Sequence, residues 1–416
     1  MRITRRVLAV AAASLVALAV PAATTPAAAD EAPDQCTFPD KPYKGQPWSL
    51  QRVLLDELWK HATGKGVRVA VIDTGVDVKN RQLTQAVDTE SGRNLLPKNL
   101  KDENGNKIER GKENGTTDSV GHGTKVAGII AARPMKGTGF VGLAPEATII
   151  PIQQNDAEGH GTAETLADAI RYATGPARAD VISISQDTAN AVEPTAELKQ
   201  AVDEALAKKV VVVASAGNDG LGGHVKKTYP ASYEEVLAVA SSDRNNERAA
   251  FSQSGEFVDV AAPGVDMIST VPGGGHCSDN GTSFSAPYVT GVVALLKEKR
   301  PTWTPRQINA QIMQTAERPT TGHDRLVGWG VVDPVRALSE ADKPIEQPVP
   351  GNDTAGQANP PSAIPLPLGE TAQARATRLG TYVVVGSSVL VAVIAGGAVA
   401  VRDARRRARG EQGATS

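Results

Sequence analysis

The stretch Asn280-Gly-Thr-Ser-Phe-Ser-Ala-Pro287 combines a glycine-containing turn with the start of an apolar segment. Apolar residues continue from Val289 to Leu296, and this layout places Ser283 at or near a helix N-terminus. Free backbone N–H groups and partial positive charge collect at such a position. A serine held there can attack a carbonyl carbon while its own N–H stabilises the oxyanion that forms. Taken alone, the same serine also fits an ordinary helix N-cap.

The residues before this stretch alternate between predicted strands and helices. Residues 67–72 are nearly all apolar, which is typical of a buried strand in a parallel sheet, and Asp73 follows at its carboxyl end. Open α/β sheets carry their sites at that edge. The alternation predicts a parallel sheet covered by helices on both faces. Further strands are predicted at 148–152, 181–185, 210–214, 236–240, 258–261 and 267–270, and helices at 50–61, 163–172, 195–208 and 304–315.

Two polar residues stand in glycine-rich contexts that suit a site. His122 lies between Gly121 and Gly123 where a helix is predicted to open, so its ring has room and backbone or substrate can approach closely. Asn218 lies in the glycine-rich loop 215–220, where it is either a turn residue or a donor to an oxyanion. His276 is interpreted as a loop residue.

Asp73, His122 and Ser283 occur in this order along the chain, with Asn218 between the last two. Acyl transfer requires these residue types: a carboxylate that orients the base, an imidazole base, a hydroxyl nucleophile and an oxyanion donor. The order Asp, His, Ser distinguishes this arrangement from the two other common triad orders.

Four stretches in the same order resemble the signature motifs of the subtilisin-like serine proteases. The resemblance implies a three-layer α/β fold with a central, mostly parallel sheet, and a serine endopeptidase that needs no cofactor. It also implies that Asp73 orients His122, that His122 is the general base and acid, that Ser283 is the nucleophile, and that Asn218 and the Ser283 N–H form the oxyanion hole. The four stretches are Val71–Gly75, Gly121–Thr124, Ser215–Asn218 and Gly281–Pro287.

One stretch departs from the family pattern. In subtilisins the strand corresponding to 181–185 usually continues into a glycine pair that lines the pocket for the residue before the cleaved bond, whereas Gln-Asp-Thr stands here at 186–188. A narrow specificity is therefore expected. The predicted substrate-pocket residues are Ser185, Gln186, Asp187, Gly159 and Gly161.

The N-terminus reads as a secretory signal over residues 1–29. Arginines at 2, 5 and 6 precede an apolar run over 7–20 and small residues at 27–29. The alternative interpretation is a retained membrane anchor. Residues 30–66 follow as an extension expected to pack on the protease domain at 67–340, and they are too few for a separate folding-assistant prodomain.

The two cysteines, Cys36 and Cys277, match no zinc spacing. In an oxidising compartment they are expected to form one disulfide bond, which would tie the extension to the segment before Ser283. Two free thiols are the alternative.

The C-terminal part divides into a Pro-rich linker at 341–378, an uncharged segment at 379–401 and a basic tail at 402–416. The uncharged segment is long enough to span a bilayer, and a buried core helix is the alternative. The arginines that follow place the tail in the cytoplasm and the protease outside, at the cell membrane.

This architecture of signal, short extension, subtilisin domain and single C-terminal span is similar to that of the mycosins. The resemblance implies a role in type VII secretion, with an exported protein or peptide as substrate and with the membrane and secretion-channel components as partners. A structural component of a secretion complex, with proteolysis secondary, is the alternative function.

Charge and metal-ligand patterns narrow the partners further. The net charge of −2 and the pI near 6.3 give no basic footprint, so no nucleic acid is expected. Asp102, Asn104 and Asn106 alternate like the start of a calcium loop. A solvated loop without a metal is the preferred interpretation, because a convincing closing acidic ligand is missing.

Overall fold

The computed structural model describes residues 36–101, 107, 110–156, 161–185, 195–223, 225–318, 321–351 and 372–412. The chain divides into two units, Met1–Gly351 and Asn352–Ser416. The predicted signal segment, the predicted calcium-loop residues at 102–106, and Gly159, Gln186 and Asp187 lie outside the described residues.

A parallel sheet of seven strands is the centre of the first unit. Its strand order is β2-β3-β1-β4-β5-β6-β7, and a separate antiparallel pair is formed by β8 and β9. The strands are β1 Arg68–Asp73, β2 Arg93–Asn94, β3 Thr148–Gln153, β4 Val181–Ile184, β5 Val211–Ser215, β6 Leu237–Ser242, β7 Val260–Pro263, β8 Met267–Thr270 and β9 His276–Asp279.

Helices cover both faces of this sheet. The helices of the first unit are α1 Trp48–Gln51, α2 Leu55–His61, α3 His122–Ala131, α4 Ala163–Thr174, α5 Ala196–Ala207, α6 Thr282–Lys299, α7 Pro305–Thr315 and α8 Pro334–Ser339. Helices α3 and α6 pack on one face, and α4 and α5 pack on the other. The predicted three-layer fold with a mostly parallel sheet is confirmed.

The central strand β1 shows why both faces are covered. Val69 and Val71 belong to the core under α3 and α6, whereas Ala70 and Ile72 belong to the core under α4 and α5. Because side chains alternate along a strand, an unbroken apolar run supplies both cores at once. The same run delivers Asp73 to the carboxyl edge of the sheet.

Two elements differ from the sequence-based prediction. The single helix expected at 50–61 is two short helices, because the chain turns between Gln51 and Leu55. His276 is the first residue of β9 rather than a loop residue, and burial lowers the pKa of its ring to about 4. The backbone N–H of Tyr43 donates to His276 Nδ1 at 3.0 Å, so the ring nitrogen Nε2 carries the proton.

The N-terminal extension lies against the protease body through its tryptophans and one disulfide bond. The indole nitrogen of Trp48 donates to the carbonyl oxygen of Val265, and that of Trp59 donates to the carbonyl oxygen of Leu143, both at 2.9 Å. Cys36 is disulfide-bonded to Cys277 in β9. The extension is therefore attached at several separate points.

The second unit contains one long helix, α9, over Ala372–Gln412. Within it the segment Arg375–Arg406 is long and apolar enough to cross a membrane. Its large apolar residues, such as Val384 and Leu390, are exposed in the structure. This segment includes the span predicted at 379–401.

Candidate active site

Asp73 and His122 form a hydrogen-bonded pair at the carboxyl edge of the sheet. Asp73 ends β1 and is only 1% exposed, and its Oδ1 lies 2.7 Å from His122 Nδ1. The same Oδ1 accepts the backbone N–H of Thr74 at 2.8 Å. Because Nδ1–H donates a hydrogen bond to the carboxylate, the other ring nitrogen, Nε2, is the basic one.

Glycine explains how α3 comes so close to this carboxylate. A Cβ at position 123 would overlap the carbonyl oxygen of Gly75 and would lie 3.1 Å from Asp73 Oδ1. Gly121, the residue before α3, has a φ of +85°, which is a left-handed conformation that favours glycine. The two glycines around His122 thus allow the helix start to lie against the end of β1.

The pKa of His122 reflects competing influences. Burial alone would lower the pKa of this ring, but the charge of Asp73, the hydrogen bond to it and the charge of Asp118 together raise the pKa above its ordinary value. About a quarter of the His122 side chain, 25%, remains exposed. The histidine is therefore buried on its Asp73 side and still reachable from solvent.

Asp118 is a residue of this site that the sequence reasoning missed. Its Oδ1 accepts the Thr74 hydroxyl at 2.9 Å and the Gly121 N–H at 2.7 Å, and its Oδ2 accepts both the N–H and the hydroxyl of Thr124. Burial raises the pKa of Asp118 to about 6, although the hydrogen bonds from Thr124 and Gly121 favour the ionised form. One carboxylate thus links the residue after Asp73 to both sides of His122. The available signal was an aspartate four positions before the histidine, since aspartate commonly accepts backbone N–H groups in turns.

Ser283 lies at the N-terminus of α6, as the opening stretch predicts. It is the second residue of the helix and is 3% exposed. The ring of the next residue, Phe284, lies against His122, with ring centroids 5.5 Å apart. The helix start that carries the serine therefore adjoins the histidine.

Asn218 is fixed to the same helix start by its side-chain oxygen. Its Oδ1 accepts the backbone N–H of Thr282 at 2.9 Å and the Thr282 hydroxyl at 3.0 Å. Its Nδ2 lies 3.6 Å from the place that a Cβ at Gly281 would occupy. The oxygen end of the Asn218 amide is therefore held by Thr282, and the N–H₂ end, which can only donate hydrogen bonds, lies near Gly281.

Two of the five predicted pocket residues are described by the structure. Ser185 directly follows β4 and is buried, and within the described part of the chain its hydroxyl has no hydrogen-bond partner. Gly161 precedes α4, and its N–H donates to Asn155 Oδ1 at 3.2 Å. In the described residues there is no group of three or more His, Cys, Asp or Glu side chains that could hold a metal ion.

The subtilase family model (peptidase S8) matches residues 64–330, which contain Asp73, His122, Asn218 and Ser283. The chain belongs to the subtilase family. Subtilisin Savinase of Lederbergia lenta is 36% identical to this subtilase over 288 residues, which cover 69% of this chain and 96% of that protein. Mycosin-4 of Mycobacterium tuberculosis is 34% identical over 362 residues, which cover 78% of this chain and 74% of that protein.

Solved structures of mycosins resemble the subtilase closely. MycP1 from the ESX-1 type VII secretion system has a TM-score of 0.62 at 31% identity and covers 76% of this chain and 91% of its own. MycP3 from the ESX-3 system has a TM-score of 0.60 at 31% identity and covers 72% of this chain and 90% of its own. The predicted resemblance to mycosins is confirmed, and the chain is a subtilisin-like serine protease similar to them.

Proposed function

We propose that this subtilase is a membrane-anchored serine endopeptidase that works outside the cytoplasm and cleaves peptide bonds through an acyl-enzyme. The observation that supports the proposal most strongly is the Asp73–His122 pair next to the helix start that carries Ser283. These are the three residue types of an acyl-transfer triad, in the chain order of the subtilisins.

The proposed mechanism assigns one task to each polar residue. His122 Nε2 takes the proton of the Ser283 hydroxyl as the oxygen attacks the substrate carbonyl, while Asp73 stabilises the imidazolium that forms. The oxyanion accepts the Ser283 N–H and the Asn218 N–H₂. The imidazolium then protonates the leaving amine. Water subsequently hydrolyses the acyl ester with His122 acting again as the base.

Labelling with a serine-directed phosphonate tests this mechanism on the full chain in membranes. We expect stoichiometric modification of Ser283 in the wild type and none in Ser283→Ala. Labelling of His122→Ala should fall sharply, since the hydroxyl loses its base. No modification of the wild type, or equal modification of Ser283→Ala, would contradict the proposal.

Membrane anchoring rests on α9 and on the arginines near its end. Its apolar segment is long enough to cross a bilayer, and Arg402, Arg405 and Arg406 lie at the C-terminal side of that segment. Arginine clusters remain on the cytoplasmic side. We therefore propose a single-pass protein with the protease outside the cytoplasm and the C-terminal tail inside.

The proposed substrates are one or a few exported proteins or peptides, and the proposed partners are components of a type VII secretion system. The support is the likeness to Mycosin-4 and to the structures of MycP1 and MycP3, which are described as proteins of type VII systems. A comparison of the proteins secreted by wild-type and Ser283→Ala cells should identify any substrate as a band that stays at its unprocessed length.

A second function, as a structural component of the secretion complex, is favoured by one observation. MycP1 is described as an essential component of the ESX-1 system. We expect deletion of the whole chain to stop secretion while Ser283→Ala leaves secretion intact and only blocks processing. If Ser283→Ala stops secretion as completely as deletion does, the structural role is not needed to explain the phenotype.

A further inference from the structure

Phe38 of the N-terminal extension lies directly on the backbone next to the catalytic histidine. A Cβ at Gly121 would overlap the Phe38 ring, so only glycine leaves space for the ring there. The ammonium of Lys125 lies 5.8 Å from the centre of the same ring. Phe38 nevertheless remains 39% exposed. The exposed ring of Phe38 therefore packs on Gly121, the residue immediately before His122.

The chain around Phe38 is attached on both sides, so the ring is not on a loose tail. Cys36, two residues before it, is disulfide-bonded to Cys277. Two residues after it, the Asp40 N–H donates to the carbonyl oxygen of Gly274 at 3.0 Å. A side chain held between two such attachments loses little further freedom when a ligand packs against it.

If the proposed function is correct, the scissile bond of a bound substrate lies near the chain segment on which this ring packs. His122 Nδ1 is held by Asp73, so Nε2 has to face the reacting hydroxyl and the scissile bond. A peptide whose scissile bond lies at Nε2 is therefore close to Gly121, the residue before His122, on which Phe38 packs. The subtilase model matches residues 64–330, so Phe38 is an addition to the matched domain.

We propose that Phe38 forms one wall of the substrate cleft and selects substrates with an apolar side chain next to the scissile bond. This inference rests on the proposed proteolytic function and adds a specificity residue to it. An open aromatic face favours apolar surface and disfavours a charged side chain that would lose water against it. The charge of Lys125, whose ammonium lies over the ring, is paired with Asp279 at 2.7 Å.

A peptide library randomised at the two positions on either side of the scissile bond tests the proposal. Cleavage by the full-length protein in detergent is read by mass spectrometry, as the ratio of kcat/KM for apolar over charged residues at each position. We expect a preference for apolar residues at one of these positions, and we expect Phe38→Ala to reduce it about tenfold, since small changes in an apolar wall alter discrimination by roughly 10- to 200-fold. Phe38→Leu should restore most of the preference. Phe38→Lys should instead raise cleavage of peptides with Asp or Glu at that position.

Tyr43→Ala is the matched control, because Tyr43 is an equally exposed aromatic residue of the same extension, at 38%, whose ring lies near Gly45. It should leave the ratios unchanged. The inference is overturned if Phe38→Ala and Phe38→Lys keep the wild-type kcat/KM ratios. It is also overturned if Tyr43→Ala changes these ratios as much as Phe38→Ala does, because the extension would then act only through general stability. Phosphonate labelling separates the two levels: an unlabelled wild type overturns the proposed function itself, whereas normal labelling with unchanged ratios overturns only the role of Phe38.

Discussion

At the scale of single residues, Asn218 uses the two ends of one amide for different purposes. Its oxygen accepts two hydrogen bonds from Thr282, which fixes the side chain to the start of α6. We propose that the nitrogen end is thereby held in place as the oxyanion donor before any substrate arrives. A donor that is already in place stabilises a developing oxyanion without further reorganisation.

Replacement of Asn218 should therefore affect turnover more than binding. We expect Asn218→Ala to lower kcat by about 100- to 1,000-fold, the loss known for removal of the oxyanion asparagine in subtilisins, with KM little changed. Steady-state kinetics on a peptide substrate measures both constants. Asn218→Asp is the matched variant, because it keeps the acceptor for Thr282 but has no N–H₂ donor, and it should be at least as inactive. A kcat near the wild-type value in either variant would rule out Asn218 as the oxyanion donor.

Asp118 should influence the pH dependence of catalysis without touching substrate. Neutral His122 is the active base, and the charge of Asp118 contributes to raising the pKa of this ring. Removing that negative charge destabilises the imidazolium, so the pKa of His122 falls. We expect Asp118→Asn to shift the acidic limb of the kcat/KM profile to lower pH.

The control for this pH shift is Asp266→Asn, which removes an exposed carboxylate that is paired with Arg244. Its profile should coincide with that of the wild type. Asp118→Asn also loses acceptors for Thr124, so a lower stability is expected in addition. A limb that stays in place, or moves to higher pH, would show that Asp118 is not coupled to His122.

At the scale of helices and strands, the sequence predicts the strands formed by apolar runs well. It does not predict the strands that depend on tertiary contacts. Strand β8 was predicted with its observed bounds, and β1 was displaced by one residue at each end. The short strand β2 lies in the polar stretch 81–119, for which the sequence predicts a long surface loop or a pair of hairpins, and β9 begins at His276. Strand β2 depends on pairing with β3, which is distant in sequence and which no local pattern reports. Strand β9 pairs antiparallel with the preceding strand, β8.

In the candidate site, too, some residues could be predicted from local sequence patterns and others could not. Asp73, His122 and Ser283 could be placed because each stands at the boundary of a strongly patterned element. Asp118 could not, because its importance comes from hydrogen bonds to Thr74 and Thr124 that exist only after folding.

Helix α3 offers a prediction in which tertiary contact should outweigh helix propensity. Alanine is favoured over glycine inside a helix by about 1 kcal/mol. At position 123, however, a Cβ would overlap the Gly75 carbonyl oxygen and press on Asp73. We expect Gly123→Ala to lower the free energy of unfolding by about 1–3 kcal/mol, as overpacking does, and to slow phosphonate labelling because Asp73 is displaced.

Gly322→Ala is the control for this substitution, since a Cβ at position 322 meets no atom of the described residues within 4 Å. It should change the free energy of unfolding by no more than about 0.5 kcal/mol. Urea unfolding in detergent and the labelling rate measure the two effects. If Gly123→Ala is as stable and as readily labelled as Gly322→Ala, close packing of α3 against β1 is not required for the site.

At the scale of the whole molecule, one family domain carries additions on both sides. The matched subtilase residues, 64–330, follow an extension that is tied to β9 by a disulfide bond and to the body by Trp48 and Trp59. A long helix with a membrane-length apolar segment follows in the second unit. We propose that the disulfide bond lies in an oxidising compartment and the arginines in the cytoplasm, on opposite sides of one membrane.

The proposed single-pass topology can be tested with single added cysteines and a membrane-impermeant maleimide. Gln347 is exposed and precedes α9, whereas Ser416 follows it. On intact cells whose outer layers admit the reagent, we expect Gln347→Cys to be labelled and Ser416→Cys to remain unlabelled, because five arginines between 402 and 409 hold the tail in the cytoplasm. In permeabilised cells both Gln347→Cys and Ser416→Cys should be labelled, which controls for the reactivity of the added thiols. The wild type should not be labelled in either preparation, because both native cysteines are disulfide-bonded. Labelling of Ser416→Cys on intact cells would place both ends of α9 on the same side and would exclude a single-pass anchor.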